Sequence, residues 1–262
     1  MRPGPSPELR AYLAAELRRP VFPEARAFAE ALAKRPGVAA VLFYGSCLQR
    51  QSPEGMLDFY VLTDGRAGAY GESALTAAAG RLLPPNVYPE RHEGLRAKAA
   101  VLSLGAFRRR MTPGRIDTTF WARFCQPAAL LWARDERIGR EVDAAIADAV
   151  AAAAAWAERL AEGAEGAEAW RRLFARTYRV EIRVEGPGRA GKIVDADPAR
   201  YDALWALTAE SRARRAKGRS WFLRWLLGKP LHIARLLKAA FTFEGGPRYL
   251  LWKIRRHRRA GG

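Results

Sequence analysis

The stretch VAAVLFYGSCLQRQSPEGMLDFYVL, residues 38–62, decides how the chain folds. An apolar run ends at Phe43-Tyr44-Gly45-Ser46, a polar loop of about a dozen residues follows, and a second apolar run carries one acid, Asp58. Short apolar runs bounded by Gly, Ser and Pro predict two buried strands. Gly-Ser at the end of one strand and an acid inside the other suit phosphate chemistry. Glycine lets the backbone approach an anion closely, and serine adds a hydroxyl and an amide donor. The carboxylate can hold the magnesium that such a phosphate carries. Burying an unpaired carboxylate is costly, so Asp58 among apolar neighbours points to a purpose.

Upstream, Glu8 to Arg19 and Pro23 to Arg35 show helical spacing, and Pro36-Gly37 breaks the second helix and launches the first strand. Downstream, Thr63-Asp64-Gly65 is a turn, Glu72 to Leu83 a helix closed by Pro84-Pro85, and Ala97 to Ser103 a third strand. Strand, loop, strand, helix and strand predict a small mixed sheet covered by helices. Beyond Gly105 the pattern is almost wholly helical, with Pro127 expected to start a helix and Glu136 to Leu160 an alanine-rich amphipathic one. AEGAEGAEA reads as a hinge. Trp170 to Val184 is helical in its first half and alternates like a strand in TYRVEIRV; Asp197-Pro198 starts a further helix.

With 262 residues, 49% hydrophobic content and eight tryptophans, the chain can bury a sizeable core. No stretch reaches 18 uncharged apolar residues, so no membrane-spanning helix is expected. MRPGPSP lacks a signal-peptide apolar core, which places the expected location in the cytoplasm. Cys47 and Cys125 form neither a disulfide framework nor a metal motif. His92, His232 and His257 are scattered without metal-ligand spacing, Asp117 reads as a helix N-cap, and Glu90 and Glu93 as solvated loop acids. Arg108-Arg109-Arg110 could face a phosphate or water.

The net charge of +18 is unevenly placed. From Ser211 onward, fifteen Lys or Arg oppose one acid, Glu244, which puts +14 in the last fifth of the chain. Such asymmetry predicts a polyanionic partner, either a membrane or a nucleic acid. Trp221, Phe222, Trp225 and Trp252 alternate there with cations such as Arg235 and Lys238. Aromatics and leucines clustered at helical spacing suit an anionic lipid surface better than RNA bases.

YGSCLQ…GMLDFYVL resembles the nucleotidyltransferase superfamily, in which a Gly-Ser loop holds a triphosphate and strand carboxylates hold magnesium. The common superfamily pattern has a second acid two residues on, where this chain has Tyr60. That departure is shared with the mitochondrial-type phosphatidate cytidylyltransferases, peripheral membrane enzymes that read roughly YGSGVF.Q…PMLDFIF. Later segments are similar in order. Lys98-Ala99-Ala100-Val101-Leu102-Ser103 resembles the family's KYGVIS, and Ala122-Arg123-Phe124-Cys125-Gln126-Pro127 its GRLxKP. Thr177-Tyr178-Arg179-Val180-Glu181-Ile182-Arg183 resembles SYxGDFR, and Ala234-Arg235-Leu236-Leu237-Lys238-Ala239-Ala240-Phe241-Thr242 resembles RxxxKGIFT.

The resemblance implies an α+β fold: a nucleotidyltransferase-like catalytic domain over residues 1–112, a helical domain over 113–215 completing the active site, and a basic amphipathic tail over 216–262. It implies magnesium-dependent transfer from CTP to phosphatidate, giving CDP-diacylglycerol and pyrophosphate for phospholipid biosynthesis. Gly45 and Ser46 would hold the nucleotide phosphates, with Lys98 and Arg123 beside them. Asp58 and Glu181 would bind the metal, and Arg183 and Lys192 the lipid phosphate. Trp221, Phe222, Trp225, Arg235, Lys238 and Trp252 would contact an anionic membrane. Cys47 replaces a family glycine, Glu181 an aspartate, and the loop Asp64 to Gly71 lacks a histidine segment. For Lys98 the competing reading is a strand-edge lysine that blocks aggregation. For the whole chain, the alternatives are transfer to another acceptor, or a non-catalytic basic tether to membrane or RNA.

Overall fold

The computed structural model describes residues 4–112, 117–180, 189–213 and 221–242. Two helices, α1 (Pro7–Leu17) and α2 (Pro23–Ala33), lead into strand β1 (Val38–Tyr44). A one-turn helix, α3 (Ser46–Arg50), connects to β2 (Met56–Thr63). Then come α4 (Ala74–Leu82), β3 (Asn86–His92), β4 (Leu95–Ser103), α5 (Leu104–Met111), α6 (Thr119–Phe124) and β5 (Ala128–Ala133). The remainder is helical: α7 (Glu136–Leu160), α8 (Gly166–Val180), α9 (Arg189–Asp195), α10 (Pro198–Leu207), α11 (Ala209–Ala213) and α12 (Trp221–Thr242). The protein is therefore a mixed α+β chain built on one five-stranded sheet, ordered β3-β4-β2-β1-β5. Only β2 and β4 run parallel; the other neighbours are antiparallel.

Both faces of the central strands are covered, which explains their near-continuous apolar sequence. Leu42, Tyr60, Leu62, Ala100 and Leu102 face one core, which also takes Trp121, Ile146, Trp156, Trp170 and Tyr201 from the helical half. Val41, Phe43, Phe59, Val61, Ala99 and Val101 alternate onto the other face, against Phe28 and Leu32 of α2. The boundary expected at residue 112 thus falls within a continuous core, and β5 from beyond it pairs with β1.

Three local expectations are corrected. Pro127 precedes a strand, β5, because Leu130, Leu131 and Trp132 fit a pleated surface beside β1 better than a new helix turn. Glu90 lies in a strand that the pattern did not announce, since NVYPERH shows no apolar alternation. It joins β4 through a two-residue turn, Glu93-Gly94, with φ of 47° and 79°. Its carboxylate accepts from Tyr70 Oη at 2.8 Å and Arg35 Nη2 at 2.6 Å, so it is not simply solvated. Through Val180, the alternating TYRV continues α8 as helix. The tail segment Trp221–Thr242 is one helix that carries Pro230 inside it.

Asp117 lies one residue before the N-cap of α6, which is Thr118, so the expected capping role is corrected. It accepts from Thr119 N at 3.2 Å, pairs with Arg110 at 3.1 Å and also receives Arg235 of α12. Burial pushes its carboxyl up, but the guanidiniums of Arg235 and Arg110 outweigh that and hold it below the ordinary carboxylate range. A depressed folded pKa means this stabilisation is present above the unfolded value and is lost as pH falls through the folded one. Asp117→Asn leaves Arg110 and Arg235 facing each other without the shared carboxylate, a loss of about 3 kcal/mol for a buried pair. The expected result is a lower melting temperature and faster proteolysis at α12; unchanged rates would show that this pair does not hold the helix.

Candidate active site

Strand register brings the motif residues into one row. Tyr44 of β1 lies opposite Asp58 of β2, and Asp58 lies opposite Lys98 of β4. All three point to the sheet face that carries the helical half, because Asp58 alternates with Tyr60 and Leu62, and Lys98 with Ala100 and Leu102. The position two residues after Asp58, where an acid is common, holds Tyr60. Its ring is buried among Tyr44, Phe120 and Phe124, with centroids 5.2, 6.2 and 5.0 Å away. A second carboxylate there would sit inside an aromatic core.

Gly45 makes the turn out of β1 possible. Its φ of 89° and ψ of −165° suit glycine, and a Cβ there would lie 2.8 Å from Asp58 Oδ2. The loop therefore rests directly against the acid. Ser46 begins α3, and Cys47 is already helical, so the glycine usual at that point in the resembling family is not needed. Its buried thiol, pushed up by burial, donates to the carbonyls of Met56 at 3.5 Å and Glu54 at 3.6 Å and so pins the loop to β2.

Above this corner opens a cleft of about 330 Å³ lined by Gly45, Ser46, Asp58, Arg123 and Lys192, with Gln49, Arg50, Gln126, Tyr178 and Ile193. Five residues expected from separate segments thus share one wall: the turn after β1, β2, α6 and α9. The Arg123 guanidinium lies 5.0 Å from the Tyr44 ring centroid, and Gln126 donates to Ala122 O at 3.3 Å. Arg50 is steered by its Nη2 donating to Glu54 O at 3.0 Å. Three cations and one carboxylate give the cleft the character of a polyphosphate site.

Lys98 stands beside Asp58 in register but does not line the cleft; it is an exposed residue on an interior strand. Arg50, Gln49, Gln126 and Tyr178 are lining residues that the sequence reading did not single out, although each lies inside a motif it quoted. Glu181, Arg183 and Trp252 lie outside the described residues, as does the Trp225 side chain. Among the described residues, no three His, Cys, Asp or Glu side chains converge as metal ligands. The donor set of the cleft nevertheless fits magnesium. A half-buried carboxylate oxygen beside a phosphate-sized space matches a metal held by one or two carboxylates plus substrate phosphates.

The expected membrane contacts divide. Arg235 donates to Pro84 O at 3.0 Å and pairs with Asp117, while Lys238 donates to Leu83 O, to Pro85 O at 2.9 Å and to Asn86 Oδ1 at 2.9 Å. Burial pulls the Lys238 ammonium down to about 8. Trp221 packs on Trp156 with centroids 5.4 Å apart, and Arg224 lies 4.2 Å over the same ring. These four side chains turn inward, because the acid, carbonyls and indole that receive them line the protein side of α12. Phe222, Leu226 and Ile233 lie on the opposite face and are 63%, 49% and 46% exposed. Among the described residues, no helix is long and apolar enough to cross a membrane.

No family model matches the chain, and no curated protein matches it.

Proposed function

We propose that the chain is a magnesium-dependent phosphatidate cytidylyltransferase, forming CDP-diacylglycerol and pyrophosphate from CTP and phosphatidate. One observation carries the reading. Gly45, Ser46, Asp58, Arg123 and Lys192, which were expected site residues from separate segments of the sequence, line one cleft.

In the proposed reaction, a phosphate oxygen of phosphatidate attacks the α-phosphorus of CTP. The new P–O bond forms as the bond to the β-phosphate bridging oxygen breaks, and pyrophosphate leaves. The attacking oxygen is already anionic at neutral pH, so no strong base is required. Catalysis then rests on positioning and charge neutralisation. Gly45 and Ser46 hold the β- and γ-phosphates, with Arg50 at the same wall. Arg123, oriented by the Tyr44 ring, and Lys192 neutralise nucleotide and lipid phosphate. Asp58 would hold magnesium, which supplies charge neutralisation at the phosphates. Purified protein with CTP, phosphatidate and magnesium should yield CDP-diacylglycerol. A panel of other nucleotides and acceptors should give little product; preferred transfer to a different acceptor would replace this reading.

Membrane approach is proposed through the apolar outer face of α12, with the basic flanks adding attraction to anionic lipid. Phe222→Ser/Leu226→Ser/Ile233→Ser removes about 1 kcal/mol per partly inserted side chain, roughly a 100-fold loss of vesicle affinity in all. Vesicle co-sedimentation reads this directly, and full retention by the triple variant would discard that face as the contact.

A further inference from the structure

At the end of the sheet opposite Asp58, the parallel strands β2 and β4 finish at Thr63 and Ser103, which open into a second cleft of about 220 Å³. Thr63 lies five positions along β2 from Asp58, about 16 Å at the rise of a strand. Crevices beyond the carboxyl ends of parallel strands are where open α/β sheets place ligands. The floor is polar and buried, with Thr63 at 4% and Asn86 at 3% exposure.

The walls are cationic. Arg81 of α4, an exposed residue, donates from Nη2 to Gly65 O at 3.2 Å, which directs its guanidinium to the cleft. The Arg109 side chain folds back along α5, so that a Cβ at Gly105 would lie 3.3 Å from its Nη1. Arg66 at the rim is balanced by Asp64, 3.7 Å away. The lining acid, Glu72, is engaged by Asn86 Nδ2 at 2.6 Å and Tyr88 Oη at 2.7 Å, both on its Oε1.

Helix α4 roofs the cleft with its small residues. Ala77 and Gly80 line it, and a Cβ at Gly80 would lie 2.5 Å from Asn86 Nδ2, so the close seating of the helix needs glycine there. Leu75 and Leu82, seven residues apart and hence on one face, point away from the cleft and are 82% and 80% exposed. Exposed guanidiniums from α4 and α5 thus line one cleft, beside a helix whose outer face is apolar.

We propose that this second cleft binds a phosphate group through Arg81 and Arg109, carried either by a small soluble phosphate or by a lipid headgroup against whose chains Leu75 and Leu82 rest. Guanidiniums match phosphate oxygens in geometry and keep their charge at any working pH. The site stands apart from the Asp58 cleft and does not depend on what that cleft binds.

The full chain would be titrated with inorganic phosphate by calorimetry. In a parallel arm it would be mixed with phosphatidylcholine vesicles with and without phosphatidate. Binding of free phosphate identifies a soluble source; phosphatidate-dependent vesicle binding without it identifies a lipid. In whichever arm binds, Arg81→Gln/Arg109→Gln is expected to weaken a component about tenfold or more. Arg123→Gln in the Asp58 cleft leaves that component unchanged, and Leu75→Ser/Leu82→Ser lowers only the vesicle arm. Arg109→Gln alone keeps the Arg81–Gly65 contact, and it decides the matter by a severalfold loss should the double variant melt early. Absence of binding in both arms, or binding indifferent to Arg81 and Arg109, would overturn the proposal.

Discussion

Asp58→Asn is expected to lower cytidylyl transfer about 1,000-fold or more while leaving the melting temperature within a few degrees of the parent. Asparagine keeps the shape of the side chain against Gly45, where Asp58 Oδ2 lies 2.8 Å from the position a Cβ would take. It removes the charge that the proposed metal needs, and electrostatic stabilisation of a transferring phosphoryl group is commonly the largest catalytic contribution. A structural role for Asp58 would show the reverse, with stability falling and the residual activity of the folded fraction unchanged. Transfer at the parent rate by a folded Asp58→Asn protein would remove the chemistry from this cleft.

The largest stability effect is expected at residues that do not line the cleft. Arg200 at the start of α10 is 4% exposed and holds Glu16 of α1 with two hydrogen bonds, Nε to Oε2 at 2.6 Å and Nη2 to Oε1 at 2.9 Å. Its Nη1 donates to Cys125 O at 2.9 Å, so one side chain ties α1, α6 and α10 together. Glu16→Ala leaves the guanidinium buried without its carboxylate, a cost of about 3–5 kcal/mol. For a chain of this size that is a fall of about 10 °C in melting temperature. Glu16→Leu/Arg200→Met should recover much of the loss, because removing both charges removes the desolvation penalty as well. Equal destabilisation in the double variant would mean that the contact to Cys125 O, rather than the ion pair, carries the stability.

The sequence announced its most periodic elements well. β1 runs Val38–Tyr44 and α7 Glu136–Leu160, as the apolar pattern predicts, and α10 starts after Asp197, whose side chain accepts from Arg200 N at 3.1 Å. Two strands escaped for different reasons. β3 reads NVYPERH, with consecutive polar residues and Pro89 inside it, so nothing in its composition separates it from a loop. β5 follows a proline within a helical stretch, and its strand state depends on pairing with β1, a contact distant in sequence.

The cleft shows the same division between local and long-range information. Gly45, Ser46 and Asp58 were legible because two adjacent strands bring them together. Arg50, Gln126 and Tyr178 reach the cleft through the packing of α3, α6 and α8, which no spacing in the sequence encodes. The tail illustrates the limit most plainly. Its cations suggested a lipid-facing charge, yet Arg235 and Lys238 engage Asp117, three main-chain carbonyls and Asn86, and among the described side chains Phe222, Leu226 and Ile233 face outward. Amphipathic spacing identifies two faces of a helix; which face meets the protein depends on the acid and carbonyls waiting for it.

The most direct test of the central claim is product analysis with the purified 262-residue chain, CTP labelled in its cytosine, phosphatidate in mixed vesicles and magnesium. The account predicts label in CDP-diacylglycerol and one pyrophosphate released per lipid product, with both signals lost in Asp58→Asn. Folded protein that releases neither product, or that moves the label to an acceptor other than phosphatidate, would contradict it.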